Sequence, residues 1–407
     1  MNTKRRSDDG FTLVEALVAT TIIVSVTAAA LSVLNPSRGV FKTQPEVADL
    51  QQRLRIGVDT LTRELLNAGA GAYSGASAGS LIGYFAPIMP FRRGRDVTID
   101  DGAGVFKSDA ITILYVGPTA TQTTLKTDMA NAASPLAVDV EAGCPGDSRT
   151  GLVNPLCGFK PNVTRAAVFD GTGALDTFVV SSADELTQTI DFPHAELSAL
   201  SKAYLGSTSN HVTKVVEIST HVYYLNRPTR QLMHYDGFST VMPVLDNVVD
   251  LGFEYYGEPA PPAFVRPGKD QSVTYGPAPP APEVTQTPFD PGENCTWQVI
   301  GGAQVTRLAA LGSFGEGLVR LTAAELADGP WCPDVANPNR YDADLLRVRR
   351  VRVALRVQSG NDSVRGSLAT GNDAMFINRG TAASRSQTVP DRTIRFDVSP
   401  RNLNVGR

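Results

Sequence analysis

The stretch that decides the fold is residues 11–34, FTLVEALVATTIIVSVTAAALSVL, which contains no lysine, arginine or aspartate. A helix of that length, rising 1.5 Å per residue, is roughly 36 Å long, enough to cross the ~30 Å hydrocarbon core of a bilayer. Lys4, Arg5 and Arg6 precede it. The positive-inside rule therefore predicts a cytoplasmic N-terminus and places everything after Leu34 on the other side of the membrane. A cleavable secretory signal ending near residues 28–30, and an ordinary signal anchor, are the alternatives.

Glu15 is the one charged residue in this apolar run. A carboxylate inside a membrane helix is costly, so by default it indicates a function and requires a partner. The run contains no basic residue, and we therefore expect the partner to come from another chain or from a new amino terminus. A cut between Gly10 and Phe11 would place a free amine about one helical turn from Glu15.

Residues 10–15, GFTLVE, follow a short basic leader and open a long apolar helix. This arrangement closely resembles the processing site of type IV prepilins and pseudopilins. The resemblance implies that a prepilin peptidase cuts after Gly10 and methylates the amine of Phe11, and that Glu15 guides packing into a filament. It also implies an α+β, pilin-like fold, in which a long N-terminal helix packs on an antiparallel sheet with large loop insertions.

A second helical pattern follows the apolar run. Apolar residues recur with a mean spacing of 3.6 at Val47, Leu50, Leu54, Val58, Leu61 and Leu65. This spacing predicts an amphipathic helix over residues 46–67, with Glu64 among the polar residues of its other face and Gly69 near its end. Pro36 and Pro45 predict a kinked segment over 35–68, with a break somewhere within 35–45.

The rest of the chain, residues 69–407, is predicted to be a β-rich domain outside the cytoplasm. Runs of β-branched and aromatic residues bounded by turn formers predict strands at 109–116, 164–170, 176–180, 186–192, 212–225, 244–256, 351–357 and 392–398. Residues 222–235 are predicted to form a hairpin. Outside the N-terminus the pattern is most similar to PilW-type minor pilins, although this similarity rests on patterning alone.

Residues 259–340 are predicted to be an insertion between two strands of the sheet. Ten prolines lie between Pro259 and Pro291, which excludes a central strand there. Thr322 and Glu325 have the spacing of a capping box and predict a short helix. After the insertion, Val351, Val353, Leu355 and Val357 alternate with arginines. Arg347 and Arg349 do not follow that phase, so a bulge or the start of the strand is expected near Arg349 and Arg350.

Four cysteines allow three pairings. In an exported domain disulfides are expected, and we predict Cys144 with Cys157 and Cys295 with Cys332. No metal-binding or enzymatic motif occurs, and the histidines at 194, 211, 221 and 234 are scattered, so we predict neither catalysis nor a cofactor. Calcium at Asp100-Asp101-Gly102 or at Asn361-Asp362 is a minor alternative.

Composition limits the remaining classes of protein. The chain has 37 basic and 41 acidic residues and a net charge of −4, which argues against a nucleic-acid binder; the arginines at 347–356 do not change this, since no aromatic stacking platform is evident in the sequence. An apolar content of 42% with 19% charged residues excludes both a disordered chain and a polytopic membrane protein.

The expected function is that of a minor pilin. Such a subunit is processed by prepilin peptidase, held in the inner membrane, and then assembled with major and minor pilins by the pilus machinery, at or near a tip that also carries an adhesin. A minor pseudopilin of type II secretion is the first alternative. A membrane-tethered adhesin or ligand-binding domain is the second.

Overall fold

The computed structural model describes residues 12–71, 79–118, 120–139, 156, 158–184, 186–194, 199–209, 213–263, 275–313, 315–361, 365 and 389–404, with the backbone alone for 33–42. The chain divides into two compact units. The first comprises Met1–Arg53 with Val357–Arg392, and the second comprises Leu54–Arg356 with Thr393–Arg407.

A single helix, α1, runs from Leu13 to Asn67. The predicted break within residues 35–45 is wrong, because α1 stays helical through both prolines. Each proline removes one N–H donor, yet its fixed φ is compatible with a helix. A kink without interruption stays a prediction. In the first unit, Ser359 donates a 2.7 Å hydrogen bond to Glu46 near the middle of α1.

The predicted amphipathic pattern is confirmed in the second unit, where Leu61 and Leu65 are fully buried. Gly69 follows the helix with a φ of 76°, a left-handed conformation that glycine adopts without strain. Its N–H donates to the carbonyl of Leu114 at 2.9 Å, so the end of α1 is joined directly to a strand.

The remainder of the described chain is dominated by short β-strands. In chain order they are β1 (Ile88–Met89), β2 (Ala110–Tyr115), β3 (Gln122–Thr124), β4 (Leu136–Ala137), β5 (Arg165–Phe169), β6 (Leu175–Val179), β7 (Ser182–Asp184), β8 (Thr189–Asp191), β9 (Lys214–Glu217), β10 (Ser219–Asn226), β11 (Gln231–Tyr235), β12 (Val241–Asp246), β13 (Val248–Gly257), β14 (Trp297–Ile300), β15 (Ala303–Thr306), β16 (Val319–Leu321), β17 (Trp331–Cys332), β18 (Tyr341–Asp342), β19 (Val348–Val357) and β20 (Arg392–Val398). Short 3₁₀ helices lie at Leu81–Gly83, Ser207–Ser209, Ala343–Arg347 and Arg401–Leu403.

These strands form several sheets. The largest has the order β1-β2-β10-β11-β12 and is antiparallel throughout. A second has the order β16-β13-β19-β20, and a third the order β3-β9-β5-β6. The smaller ones are β4-β8-β7, β14-β15 and β17-β18. The architecture is therefore α+β, as predicted.

Most predicted strands are present, but three are shorter or divided. The 212–225 prediction corresponds to β9 and β10, which Ile218 separates, and its first residue lies outside the described part. The 244–256 prediction covers parts of β12 and β13, which Asn247 separates with a φ of 59°. The 186–192 prediction shortens to β8. The β10–β11 hairpin is confirmed, with Val222 opposite Tyr235 and Asn226 opposite Gln231.

The 259–340 segment lies between β13 and β19 in the chain, and these two strands are neighbours in one sheet. It contributes β16 to that sheet, next to β13. The predicted Cys295–Cys332 disulfide is present within it, with a Cα–Cα distance of 5.1 Å. The other predicted pair, Cys144 and Cys157, lies outside the described residues.

The capping box at Thr322 forms as predicted, but the helix does not. Thr322 N donates to Glu325 Oε2 at 2.6 Å, and Glu325 N donates to Thr322 Oγ1 at 3.3 Å. The four residues after Thr322 form a turn and do not continue as a helix. Gly329 and Pro330 follow closely, and neither residue type favours helix extension.

The predicted alternation in β19 is confirmed for Val351, Val353, Leu355 and Val357, all fully buried. The expected start of the strand near Arg349 and Arg350 is confirmed, because β19 begins at Val348. Arg349 shares the buried face, and Arg347 is fully buried at the end of the 3₁₀ helix before the strand, which begins at Val348. Arg350 and Arg352 lie over the ring of Tyr256 at 4.5 and 5.1 Å from its centroid, so an aromatic partner is present after all.

Candidate functional site

The candidate site is the first part of α1, Leu13–Ser32, which is long and apolar enough to cross a membrane. None of this segment is buried. Its large apolar side chains are all at least half exposed: Leu13, Val14, Leu17, Val18, Ile22, Ile23, Val24, Val26 and Leu31. A helix that is apolar on every side and uncovered requires lipid or other apolar helices around it.

The hydroxyl groups in this segment are satisfied within the helix. Each donates to a backbone carbonyl three or four residues earlier at 2.7–2.9 Å, and the donors are Thr20, Thr21, Ser25, Thr27 and Ser32. Because lipid offers no hydrogen-bond partners, internal bonding of this kind removes most of the cost of placing hydroxyls in a bilayer. Glu15 is therefore the one strongly polar side chain that remains in Leu13–Ser32.

Glu15 has a partner in its own chain, which corrects the expectation that the partner must come from elsewhere. Its Oε2 accepts from Thr12 N at 3.0 Å and from Thr12 Oγ1 at 2.8 Å, while Glu15 N donates to Thr12 Oγ1 at 3.3 Å. This is a capping box at the start of α1. The T-x-x-E spacing was visible in the sequence, but the apolar context drew attention to the charge alone.

The capping box leaves half of the carboxylate unused. Among the described residues, Oε1 of Glu15 accepts no hydrogen bond, and the Glu15 side chain is exposed. A cationic group on a neighbouring molecule can therefore bind Oε1 while Thr12 holds Oε2. Gly10 and Phe11, the predicted cleavage and methylation residues, lie outside the described residues. Both cap residues follow the predicted cut, so the capping box persists in the processed chain.

The residues suggested for calcium are engaged otherwise. Asp100 accepts backbone hydrogen bonds from Gly94 and Gly102 at 2.8 and 2.6 Å. Asp101 forms a two-pronged ion pair with Arg92, which also lowers the pKa of Asp101 against the effect of burial. Asn361 is at the edge of the described chain, and Asp362 lies outside it.

Sequence reasoning missed a different acidic cluster, formed by Asp328, Asp342 and Asp344. Their carboxylate oxygens lie within 4.8 Å of one another. Burial raises the pKa of Asp342 to about 7 and that of Asp344 to about 6. Arg347 pairs with Asp344, and two backbone N–H groups donate to Asp342. These partners explain the cluster as the support of a turn, and we assign no cation to it.

An open cleft of about 420 Å³ lies at the end of the five-stranded sheet where β2 begins and β10 ends. Two of its basic side chains are already in ion pairs, Arg92 with Asp101 and Arg227 with Asp109, at 2.6 and 2.8 Å. Lys107 also lines the cleft and, within the described chain, makes no ion pair. The cleft is thus a small polar depression lined by three cations and two carboxylates.

A group of aromatic and titratable residues on the five-stranded sheet was also missed. His221 and His234 lie on neighbouring strands and hydrogen-bond each other at 2.9 Å. Tyr115 joins His221 to Glu64 of α1, so the assignment of Glu64 to the solvent face of the helix is wrong. Of the other predicted histidines, His194 is half exposed beside Asp191, and His211 lies outside the described residues.

Comparison with protein-family models, with curated proteins and with solved structures found no match to this chain.

Proposed function

We propose that this protein is a minor pilin, a structural subunit of a type IV pilus. Prepilin peptidase cuts after Gly10 and methylates Phe11, and α1 holds the subunit in the inner membrane with its N-terminus in the cytoplasm. The subunit then leaves the bilayer and packs its helix among those of other pilins. The observation that carries the proposal is the apolar helix segment Leu13–Ser32, none of which is buried. It begins just after Gly10-Phe11, and Glu15 and Thr12 form a capping box at its start.

Transfer from the membrane to a filament is a partition between two apolar environments. In lipid, the internal bonds of the Ser and Thr hydroxyls and the Thr12–Glu15 cap satisfy the polar groups of Leu13–Ser32. In a filament, apolar side chains of neighbouring helices replace the lipid at little cost, since lipid tails and leucine are similarly apolar. Oε1 of Glu15 then provides the specific contact, to the terminal amine of an adjacent processed subunit.

The arrangement of the second unit supports a pilin-like fold. The last part of α1 lies against strands, because Tyr115 of β2 donates to Glu64 at 3.0 Å and Gly57 approaches Leu245 of β12 and Leu355 of β19. A helix with one uncovered apolar half and a second half packed on an antiparallel sheet is the arrangement that the resemblance implies.

Two substitutions of Glu15 test the proposal. Glu15→Gln keeps a carbonyl oxygen that can accept from Thr12 N but removes the charge, whereas Glu15→Ala removes both. The proposal predicts that both variants insert into the membrane normally and that both are depleted from purified filaments. The measurement is quantitative immunoblotting of membrane and filament fractions.

Thr20→Ala is the matched control, since it removes a polar group from the same helix and leaves the cap intact. Filament levels of Glu15→Gln equal to the unsubstituted protein would show that Glu15 acts as a helix cap alone, and would contradict the proposed intermolecular pair.

A minor pseudopilin of type II secretion shares the helix and the processing site, and the location of the gene beside pilus or secretion genes separates the two. The polar cleft, with Lys107 in its lining, favours the other alternative, a tethered ligand-binding domain. That alternative predicts binding of an acidic glycan by the full-length protein in nanodiscs and loss of the binding in Lys107→Ala. This ligand-binding function ranks below the pilin proposal, because both arginines of the cleft, Arg92 and Arg227, already form ion pairs.

A further inference from the structure

One face of the five-stranded sheet carries a chain of hydrogen-bonding side chains beneath α1. Tyr223 lies opposite His234 in the β10–β11 pair, and His221 is two residues before Tyr223 on the same strand, so all three point to one side. Tyr115 of β2 lies opposite Ser219, which places it on that side as well. The rings of Tyr115 and His221 stack with an angle of 2° between their planes.

The direction of each hydrogen bond follows from counting protons. Tyr115 donates its single hydroxyl proton to Glu64 Oε2 at 3.0 Å, so toward His221 Nε2, also at 3.0 Å, it must accept. A neutral His221 with its proton on Nε2 has an unprotonated Nδ1, which accepts from His234 Nε2 at 2.9 Å. His221 is thus neutral in this arrangement, and the donors all point from His234 toward Glu64.

We infer that the His234–His221–Tyr115–Glu64 chain is an acid-sensitive latch that holds the C-terminal part of α1 on the five-stranded sheet. The intact hydrogen-bond chain cannot accommodate protonated imidazoles at both His221 and His234. Two cationic rings each present N–H donors at both nitrogens, so the 2.9 Å contact between them becomes a repulsion between donors and between charges. This inference goes beyond the proposed function and does not depend on filament assembly.

The surroundings of the latch hold charges of both signs. Glu64 and Arg63 come from α1, Tyr115 from β2, Tyr223 from β10, and Arg165 of β5 reaches the site in an ion pair with Asp236. Burial, and then the positive charge of Arg165, lower the pKa of His221 to about 4 against the opposing effect of Asp236. Burial, followed by His221 itself, also lowers the pKa of His234.

The sign of the pH effect follows from these directions. An exposed histidine has a pKa near 6.5, so between about pH 6.5 and 4 the open form binds a proton that the latched form excludes. Latching is therefore fully present above about pH 6.5 and weakens as the pH falls. For His221 alone, the opening equilibrium is expected to rise about 30-fold between pH 7.5 and pH 5.

Hydrogen–deuterium exchange of the full-length protein in nanodiscs, read by mass spectrometry at pH 7.5 and pH 5, tests the latch. After correction for intrinsic exchange rates, residues 58–67 should open at least 10-fold more often at pH 5. Peptides from the β14–β15 hairpin provide the internal reference and should not change.

His234→Gln keeps an amide N–H that can donate to His221 Nδ1 but cannot itself titrate, so it should reduce the pH dependence. His194→Gln, at a half-exposed histidine outside the chain, is the matched control and should behave like the unsubstituted protein. Equal protection of residues 58–67 at both pH values in the unsubstituted protein overturns the inference whether or not the variants fold. Full retention of the pH dependence in His221→Gln, which removes the more strongly shifted histidine, overturns it as well.

Discussion

At the scale of single residues, Asp342 combines a structural role with an unusual titration. It caps the 3₁₀ helix Ala343–Arg347 by accepting from Asp344 N, and it also accepts from Gly329 N. Burial outweighs these hydrogen bonds and raises its pKa to about 7. An acid whose folded pKa lies above its unfolded value stabilises the fold most at low pH, when both states are protonated.

Asp342→Asn removes this titration, since an amide is neutral at every pH. The difference in unfolding free energy, unsubstituted protein minus Asp342→Asn, should therefore fall as the pH rises from about 4 to 7. Denaturant unfolding followed by tryptophan fluorescence provides the measurement. Asp290→Asn, at an exposed carboxylate, is the control. A difference that stays constant with pH would contradict the assignment.

The arginines before and within β19 show what residue patterns cannot predict. Alternation of apolar residues identified the buried face of the strand, because period-two spacing follows directly from strand geometry. It could not show that Arg347 and Arg349 are buried, since several of their partners come from distant segments. Pro259 and Ala309 supply backbone oxygens to Arg347, and Glu258 pairs with Arg349.

At the scale of elements, α1 packs closely on strands at Gly57. A Cβ at this position would lie 2.6 Å from Cδ2 of Leu355 and 3.3 Å from Cδ2 of Leu245. In an exposed helix, replacing glycine by alanine stabilises by about 1 kcal/mol. Here we expect Gly57→Ala to destabilise by about 1–3 kcal/mol, because the added methyl overpacks the contact.

The same substitution in a Leu355→Ala background is the control, since it removes the atom that clashes. There Gly57→Ala should be neutral or stabilising, as measured by denaturant unfolding. A stabilising effect of Gly57→Ala in the unsubstituted background would show that α1 does not approach the strands so closely.

The Cys295–Cys332 disulfide joins the residues just before β14 to β17 within the 259–340 segment. Replacing both cysteines by serine should cost about 2–4 kcal/mol, because the unfolded chain regains the freedom of a 37-residue separation. Thermal unfolding of the oxidised protein and the double variant measures this cost. Equal melting temperatures for the two proteins would show that the Cys295–Cys332 bond contributes nothing to stability. Non-reducing peptide mapping of the same samples tests the predicted Cys144–Cys157 pair.

The elements that the sequence predicted well are those with strong local periodicity: the apolar helix, the amphipathic helix, the β10–β11 hairpin and β20. The continuity of α1 through Pro36 and Pro45 was mispredicted, because helix formation is cooperative and long helical segments on both sides of a proline can offset the hydrogen bond it removes. The divisions at Ile218 and Asn247 were missed, since single irregular residues leave the alternation on either side unchanged.

At the scale of the whole molecule, the large domain after α1 predicts a terminal position. A bulky subunit is difficult to repeat along a tightly packed shaft, so we expect this protein at or near filament tips. Immunogold labelling of purified filaments provides the measurement. Even labelling along the fibres at the abundance of the major subunit would contradict the expectation.

The candidate site was predicted in part. The apolar helix and Glu15 were evident in the sequence, because composition and charge are local properties. The latch could not be predicted, since Glu64, Tyr115, His221 and His234 are separated by up to 170 residues, and the register of the sheet brings them together. The uncovered state of Leu13–Ser32 likewise required the fold, because a core helix has similar composition.

Processing as a pilin leaves a defined N-terminus, which mass spectrometry of the isolated protein identifies. In cells with prepilin peptidase, the isolated protein should begin at a methylated Phe11; in cells without the peptidase, it should retain residues 1–10. A protein that begins at Met1 in both strains, or downstream of Ser32, would contradict the account.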